Sequence, residues 1–402
     1  MSKVAILGYG VVGSGVYEIL KNTANQVSKN AGKAVDVKYI LDIRDFDNHP
    51  EKHLFVKDFA TILDDAEVDI VAEVIGGATV AYEFTKAALE AGKNVVTSNK
   101  ELVATHGTEL LKIAQDKGVS YLFEASVGGG IPLIHPIHRC LTGNNISRIM
   151  GILNGTTNYI LTSMLKDNKS FEDALKDAQQ KGYAEANPAA DVEGIDACRK
   201  IAILSSLAYG RSISCDDIHT EGITKITLTD AQYAEKADYA VKLIGYSENA
   251  GDKTEVWVGP MLIPSTMPLS KVDDVFNAGM VCGDNVGDVM FYGRGAGMLP
   301  TASAVVGDII DIATGSCKCC PISWTKPDME VLSYGSTVSR YYVRAAAEDK
   351  NAAQSLFDGA QFILDTDDGE IAFITEKEVH RELIEKLSKL SDVRTYIKVY
   401  DE

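Results

Sequence analysis

The chain has 402 residues, 46% of them hydrophobic and 24% charged, a globular composition long enough for two to four domains with several buried cores. Its 39 Lys and Arg against 57 Asp and Glu leave a net charge of −18, a field that repels nucleic-acid backbones and anionic lipid surfaces. No stretch stays apolar for the roughly 18 residues of a membrane span, the first residues make too short an apolar run for a secretion signal, and seven cysteines are too few for a disulfide framework, so a cytoplasmic protein with reduced thiols and no nucleic-acid or membrane partner is expected.

The first third alternates short apolar runs with longer segments at helical spacing, the pattern of β-α-β units around a parallel sheet. Strands are predicted at 3–7, 35–41, 68–74, 94–97 and 119–123, and helices at 11–21, 80–91 and 101–117. Together they make a Rossmann-type doubly wound α/β domain over residues 1–130, with 25–33 lengthening the first crossover. Gly8-Tyr9-Gly10-Val11-Val12-Gly13 follows the first strand and opens the first helix. Such glycines allow a tight turn, close approach of backbone to a pyrophosphate, and close helix–strand packing, with the diphosphate at the helix N-terminus. The second strand ends in Leu41-Asp42-Ile43-Arg44-Asp45, where an acid suits the ribose diol of NAD and an Arg suits the 2′-phosphate of NADP. Lys57 is a second candidate for that phosphate, or a solvated surface charge. Ser98-Asn99-Lys100 follows the strand at 94–97, at the carboxyl end where open sheets bind ligands.

Glu124-Ala-Ser-Val127-Gly-Gly129-Gly-Ile131-Pro132 could be an oxygen cage for a hard cation or simply a turn between domains. Residues 131–299 are expected to form an α+β substrate domain, with helices at 171–181 and 196–209 and strand-like segments from 223 to 258. Pro260, Pro264 and Pro268 mark a connection, and 300–314 is one more helix, after the glycine-rich Gly293-Arg-Gly295 stretch. Two segments here carry chemistry. Asn154, Gly155 and Thr156 sit in a dense group of short hydrogen-bonding side chains that suits a small polar ligand. Glu185, Asp191, Asp196 and Lys200 follow, the last two four apart and so on one helix face. They are either an ordinary ion pair or carboxylates for a substrate ammonium beside a proton-delivering lysine.

Cys317-Lys-Cys-Cys320 lacks a fourth ligand for a structural metal site and opens a Pro-containing linker to 327. The tail, 339–402, reads β-α-β-β-α-β, a ferredoxin-like unit.

The Gly8–Gly13 turn, Asn154-Gly-Thr-Thr-Asn-Tyr159 and the run from Tyr183 to Lys200 resemble homoserine dehydrogenases, in the same order, from Lys3 to about Asp308. The resemblance implies NAD(P)-dependent interconversion of L-homoserine and L-aspartate 4-semialdehyde, on the route to threonine and methionine, in a homodimer or higher homo-oligomer. It implies Lys100 and Lys200 as catalytic lysines; Glu185, Asp191, Asp196, Asn154, Gly155 and Thr156 around the substrate; and Gly8, Gly10, Val11, Val12, Gly13, Arg44, Ser98, Lys100 and Gly295 around NADP or NAD. Glu124, Val127, Gly129 and Ile131 fall where that family holds a sodium ion. Arg44-Asp45 matches its cofactor-discriminating position and leans toward NADP. The tail resembles an ACT regulatory domain, but Lys350-Asn351-Ala352 stands where such domains often carry a Pro-Gly turn. Two other readings compete: another amino-acid dehydrogenase, such as one acting on aspartate, and a non-catalytic amino-acid sensor. Hydride transfer belongs to the nicotinamide, so the protein must orient substrate and supply a proton near the forming alkoxide.

Overall fold

A computed structural model describes residues 1–365 and 369–401. The first sheet is parallel, in the order β3-β2-β1-β4-β5-β6, with β1 at Ser2–Leu7, β2 at Val35–Leu41, β3 at Phe55–Val56, β4 at Val68–Glu73, β5 at Asn94–Thr97 and β6 at Tyr121–Leu122. This is the doubly wound order whose reversal beside β1 makes a ligand crevice at the carboxyl ends. Val4 to Leu7 and Ile70 to Ala72 are wholly buried, as strands covered on both faces must be. Helices α1 (Val11–Asn22), α2 (Ala24–Ala31), α3 (Ala60–Leu63), α4 (Thr79–Glu90) and α5 (Lys100–Lys117) provide the crossovers.

The second sheet is mixed, with a path β12-β11-β7-β9-β10-β18-β14-β16-β15. Its first part is β7 (Ile146–Ile152), β8 (His219–Thr220), β9 (Tyr239–Asn249), β10 (Lys253–Pro264), β11 (Phe276–Gly283) and β12 (Gly287–Arg294). Helices α6 (Gly155–Lys166), α7 (Phe171–Gln180), α8 (Ala189–Val192), α9 (Ile195–Tyr209) and α10 (Leu228–Lys236) accompany it. Helix α11 (Met298–Thr314) returns to the first sheet. A Cβ on Gly15 of α1 would stand 3.0 Å from the side chains of both Met298 and Ala302, so only a glycine lets these helices approach so closely.

The tail continues the second sheet. It comprises β13 (Glu330–Val331), β14 (Val338–Ala346), α12 (Lys350–Leu356), β15 (Gln361–Asp365), β16 (Glu370–Ile374), β17 (Glu378–Val379), α13 (His380–Leu387) and β18 (Val393–Val399). The expected β-α-β-β-α-β order is present, with β14 between β18 and β16, and β18 pairs in parallel with β10 through Met261 and Leu262.

Three expectations fail. Residues 223–237 are not strand: Thr227 caps α10 in a reciprocal capping box with Asp230, a local signal stronger than the β-branched residues upstream. Pro260 and Pro264 mark no connection, since both lie in β10. Pro260 is tolerated because the outer edge of β10 is shared out in pieces, to β8 at Trp257 and Val258 and to β18 at Met261 and Leu262. The proline, which has no N–H to donate, falls in the gap. Finally, 317–327 is no free linker: Cys317, Ile322 and Trp324 are buried, and Trp324 meets the Phe123 ring at 5.6 Å and donates to Thr108 Oγ1 at 3.0 Å. The side chain of Cys319 lies outside the described residues. Among the described residues no helix is long and apolar enough to cross a membrane.

Candidate active site

A cavity of about 510 Å³ opens between the carboxyl ends of the first sheet and the second sheet. One wall is the start of α6. Asn154 is extended and caps that helix, its Oδ1 accepting the Thr157 N–H at 2.8 Å. That leaves its amide nitrogen to donate to Asp191 Oδ1 at 2.7 Å and Asp196 Oδ2 at 2.9 Å. Thr156 donates its hydroxyl to the Tyr183 carbonyl at 2.7 Å, tying the same helix to the loop before α8.

Asp196, in the first turn of α9, is the electrostatic centre. Its Oδ2 accepts Lys200 Nζ at 2.7 Å, and its Oδ1 lies 2.7 Å from Lys100 Nζ. Burial pushes this carboxyl up, but the two ammonium groups outweigh burial and hold it well below the usual carboxylate range. Lys200 is buried, and burial pulls its ammonium below the ordinary lysine value against the opposing charge of Asp196. Its second partner is the Leu153 carbonyl at 2.7 Å. Burial raises Asp191.

The expected cofactor residues converge on the same region. Gly8 has φ +96°, and a Cβ on Gly13 would stand 1.9 Å from the Gly8 carbonyl oxygen. Positions 8 and 13 can therefore hold only glycine, and the turn leaves the α1 N-terminus, with Gly10 in open space, facing the crevice. A dinucleotide diphosphate fits that cradle. Val12, Ser98, Lys100 and Gly295 line the cavity. At the end of β2, Asp42 accepts the Tyr9 N–H at 2.8 Å and is clasped by Arg44 through Nε at 3.0 Å and an Nη at 2.9 Å. The Arg44 guanidinium beside it holds the carboxyl well below its usual range. Arg44 remains more than half exposed, and Lys57 folds onto the Ile43 carbonyl at 2.9 Å and onto that of Arg44.

Two expected assignments fare differently. Glu185 is exposed in the segment before α8 and, unlike the other five expected substrate residues, does not line the cavity. The Glu124 carboxylate is held by the backbone: Oε1 accepts the N–H groups of Leu133 and Ile134 at 2.7 and 3.0 Å, and Oε2 that of His135 at 2.6 Å. Val127, Gly129 and Ile131 follow in the same buried turn. Asn277 escaped the sequence reading. Its amide is buried without a hydrogen-bond partner, against Gly155 and Gly295, where a Cβ on Gly295 would stand 2.1 Å from its Nδ2. A single Asn inside a strand gives no pattern that could have found it.

A dinucleotide cradle opening onto a Lys–Asp–Lys group, its Asp196 and Lys200 buried, defines an NAD(P)-dependent oxidoreductase. Residues 8–124 match the family model described as "Homoserine dehydrogenase, NAD binding domain", and residues 132–310 match "Homoserine dehydrogenase". The chain is 42% identical over 314 residues to homoserine dehydrogenase of Bacillus subtilis, covering 77% of this chain and 72% of that one. To the Helicobacter pylori enzyme it is 39% identical over 377 residues, 94% and 88% of the two chains. A crystal structure of a homoserine dehydrogenase from Thiobacillus denitrificans superposes with a TM-score of 0.89 at 34% identity, covering 100% of this chain and 98% of that one. A hyperthermophilic archaeal homoserine dehydrogenase mutant, solved in complex with NADPH, matches 78% of this chain and 98% of its own, with TM-score 0.68 and 29% identity. The chain belongs to the homoserine dehydrogenase family.

Proposed function

We propose that the chain interconverts L-homoserine and L-aspartate 4-semialdehyde in this cavity, and the observation that carries the reading is Asp196 held between Lys100 and Lys200. The dinucleotide, when bound, takes or gives hydride at its nicotinamide. The remaining work falls to side chains of this protein. An ammonium has three donors, and Lys200 uses two on Asp196 and Leu153. The third is left for a substrate oxygen, where Lys200 holds or returns the proton. Its lowered affinity for that proton favours the exchange, and Lys100 adds a second positive charge for a developing alkoxide. Asp191, with Asn154 and Thr156 beside it, receives the substrate ammonium. Rapid turnover of homoserine with NADP or NAD, read as reduced-nicotinamide absorbance, tests the reading. No turnover with either cofactor sinks it, and turnover of aspartate alone would favour the aspartate-dehydrogenase alternative.

NADP is the preferred cofactor in this reading. Asp42 is already occupied by the Tyr9 amide and Arg44, so a ribose diol finds no free acceptor on it, whereas the more than half exposed Arg44 offers charge to a 2′-phosphate. Arg44→Ala should raise the KM for NADP by about 10- to 100-fold, the worth of a charge-assisted hydrogen bond, and leave that for NAD within about threefold. A sodium ion in the turn 124–131 would rest on oxygens of Glu124, Val127, Gly129 and Ile131, the Glu124 carboxylate already accepting three backbone N–H groups. The tail serves as an ACT-like regulatory unit and the enzyme works as a cytoplasmic homo-oligomer. The ferredoxin-like strand order supports the first, and the open β12 edge the second.

A further inference from the structure

Glu73 closes β4 with a side chain that the proposed chemistry leaves unused. It is wholly buried, and burial pushes its carboxyl up to about 7. Packing does not call for an acid here, since Ile70, Val71 and Ala72 before it are apolar and buried, and a buried carboxylate is costly unless it is hydrogen-bonded. Its bonds lead toward the active site. Across the parallel ladder, Thr97 donates its hydroxyl to Glu73 Oε2 at 2.6 Å, and the Ile75 N–H donates to Oε1 at 2.7 Å. The same Thr97 oxygen accepts the Asn99 N–H at 2.9 Å. Asn99 caps α5 by accepting the Leu102 N–H at 3.1 Å and donates to the Gly77 carbonyl at 2.7 Å. The next residue is Lys100.

We propose that Glu73 is a positioning residue for the dehydrogenase reaction: by accepting from Thr97 and Ile75 it fixes where α5 leaves the sheet and so where the Lys100 ammonium stands. The inference rests on the reading of Lys100 given above. Glu73 touches neither substrate nor cofactor. Its effect is geometric, and a misplacement of about 1 Å can cost on the order of 100-fold in rate.

The test uses the full chain with Glu73→Gln, Thr97→Val, Thr97→Ser and the Glu73→Gln/Thr97→Val double variant, assayed for kcat, KM for homoserine and NADPH affinity by fluorescence. Glu73→Gln and Thr97→Val should each lower kcat about tenfold or more, with KM and NADPH affinity changed less than about threefold. Thr97→Ser, which keeps the hydroxyl, should hold kcat within about twofold. The double variant should be no worse than the poorer single, because both break one chain of bonds. Unchanged kcat in Glu73→Gln, multiplied losses in the double variant, or a Thr97→Ser as impaired as Thr97→Val would each overturn the proposal. Should Glu73→Gln fail to fold, the Thr97 pair decides alone. Lys100→Ala is assayed in parallel. If it keeps its kcat, the reading of Lys100 and this proposal fall together; if it loses kcat while Thr97→Val does not, only the proposal falls.

Discussion

Asn154 joins folding and chemistry in one side chain, its oxygen capping α6 and its nitrogen spanning two acids from α8 and α9. Asn154→Asp keeps an N-capping oxygen but sets a third carboxylate against Asp191 and Asp196, so their charges repel. The expected outcome is a kcat/KM for homoserine lowered about tenfold or more, with the melting temperature shifted far less. Lys200→Ala should reduce kcat by about 100-fold or more, the usual scale of a general acid–base group, while NADPH still binds; turnover within threefold of the parent enzyme would remove Lys200 from its role. These residues were legible because they lie in tight clusters, 154–156 and 191–200, where short polar side chains crowd beyond what packing requires. Glu73 and Asn277 were not legible. Each is an isolated buried polar residue near the end of a largely apolar strand, and only the neighbours supplied by tertiary structure give it meaning.

Between elements, Arg344 of β14 ties the tail to the middle of the chain. Its Nε donates to the wholly buried Asp230 of α10 at 2.8 Å, Nη1 reaches Glu370 at 2.9 Å, and Tyr342 adds its hydroxyl to Asp230 at 3.2 Å. Removing one partner strands the other charge away from water, so Arg344→Ala should cost about 3–5 kcal/mol of stability, measured by denaturant unfolding. A smaller second effect belongs to His380 at the head of α13. Burial, then the Lys398 ammonium and His219, hold its imidazole down to about 4. Between about pH 4 and the usual histidine value of about 6.5 the unfolded chain therefore binds a proton that the native chain does not. Native stability rises with pH across that window and falls on acidification. The melting temperature of His380→Gln should depend less steeply on pH there than that of the parent; identical slopes would exclude the effect. Elements with strong periodicity, such as β1, α1 and α5, were legible nearly to the residue. α10 and β10 were not, because a capping box outweighed β-branched residues in one and a divided sheet edge sheltered a proline in the other.

At the scale of the whole molecule, the bulk charge of −18 says nothing about an anionic cofactor, whose proposed place depends on local glycines, a helix terminus and Arg44. The doubly wound order followed directly from alternating apolar runs, whereas the fusion of tail and middle into one sheet could not, since parallel pairing between segments far apart in sequence leaves no local trace. β12 ends that sheet. Val286 just before it, with Met290 and Tyr292 on it, is exposed, and an unpaired apolar edge is a template for another chain. If a second copy pairs there, Met290→Lys combined with Tyr292→Glu should halve the mass seen by sedimentation equilibrium. A parent protein that already sediments as a monomer would remove the oligomer from the reading.

The pieces that share the outer edge of β10 have a consequence for how the protein is made. Met261 and Leu262 take their partners Lys398 and Val399 from a segment translated more than a hundred residues later. A ribosome-bound chain that has finished β10 therefore carries an open hydrogen-bonding edge, flanked by the buried Trp257 and Ile263, for the whole interval before β18 appears. Such edges invite pairing with other nascent chains. Pro260, which has no N–H to donate to an intruding strand, interrupts that edge.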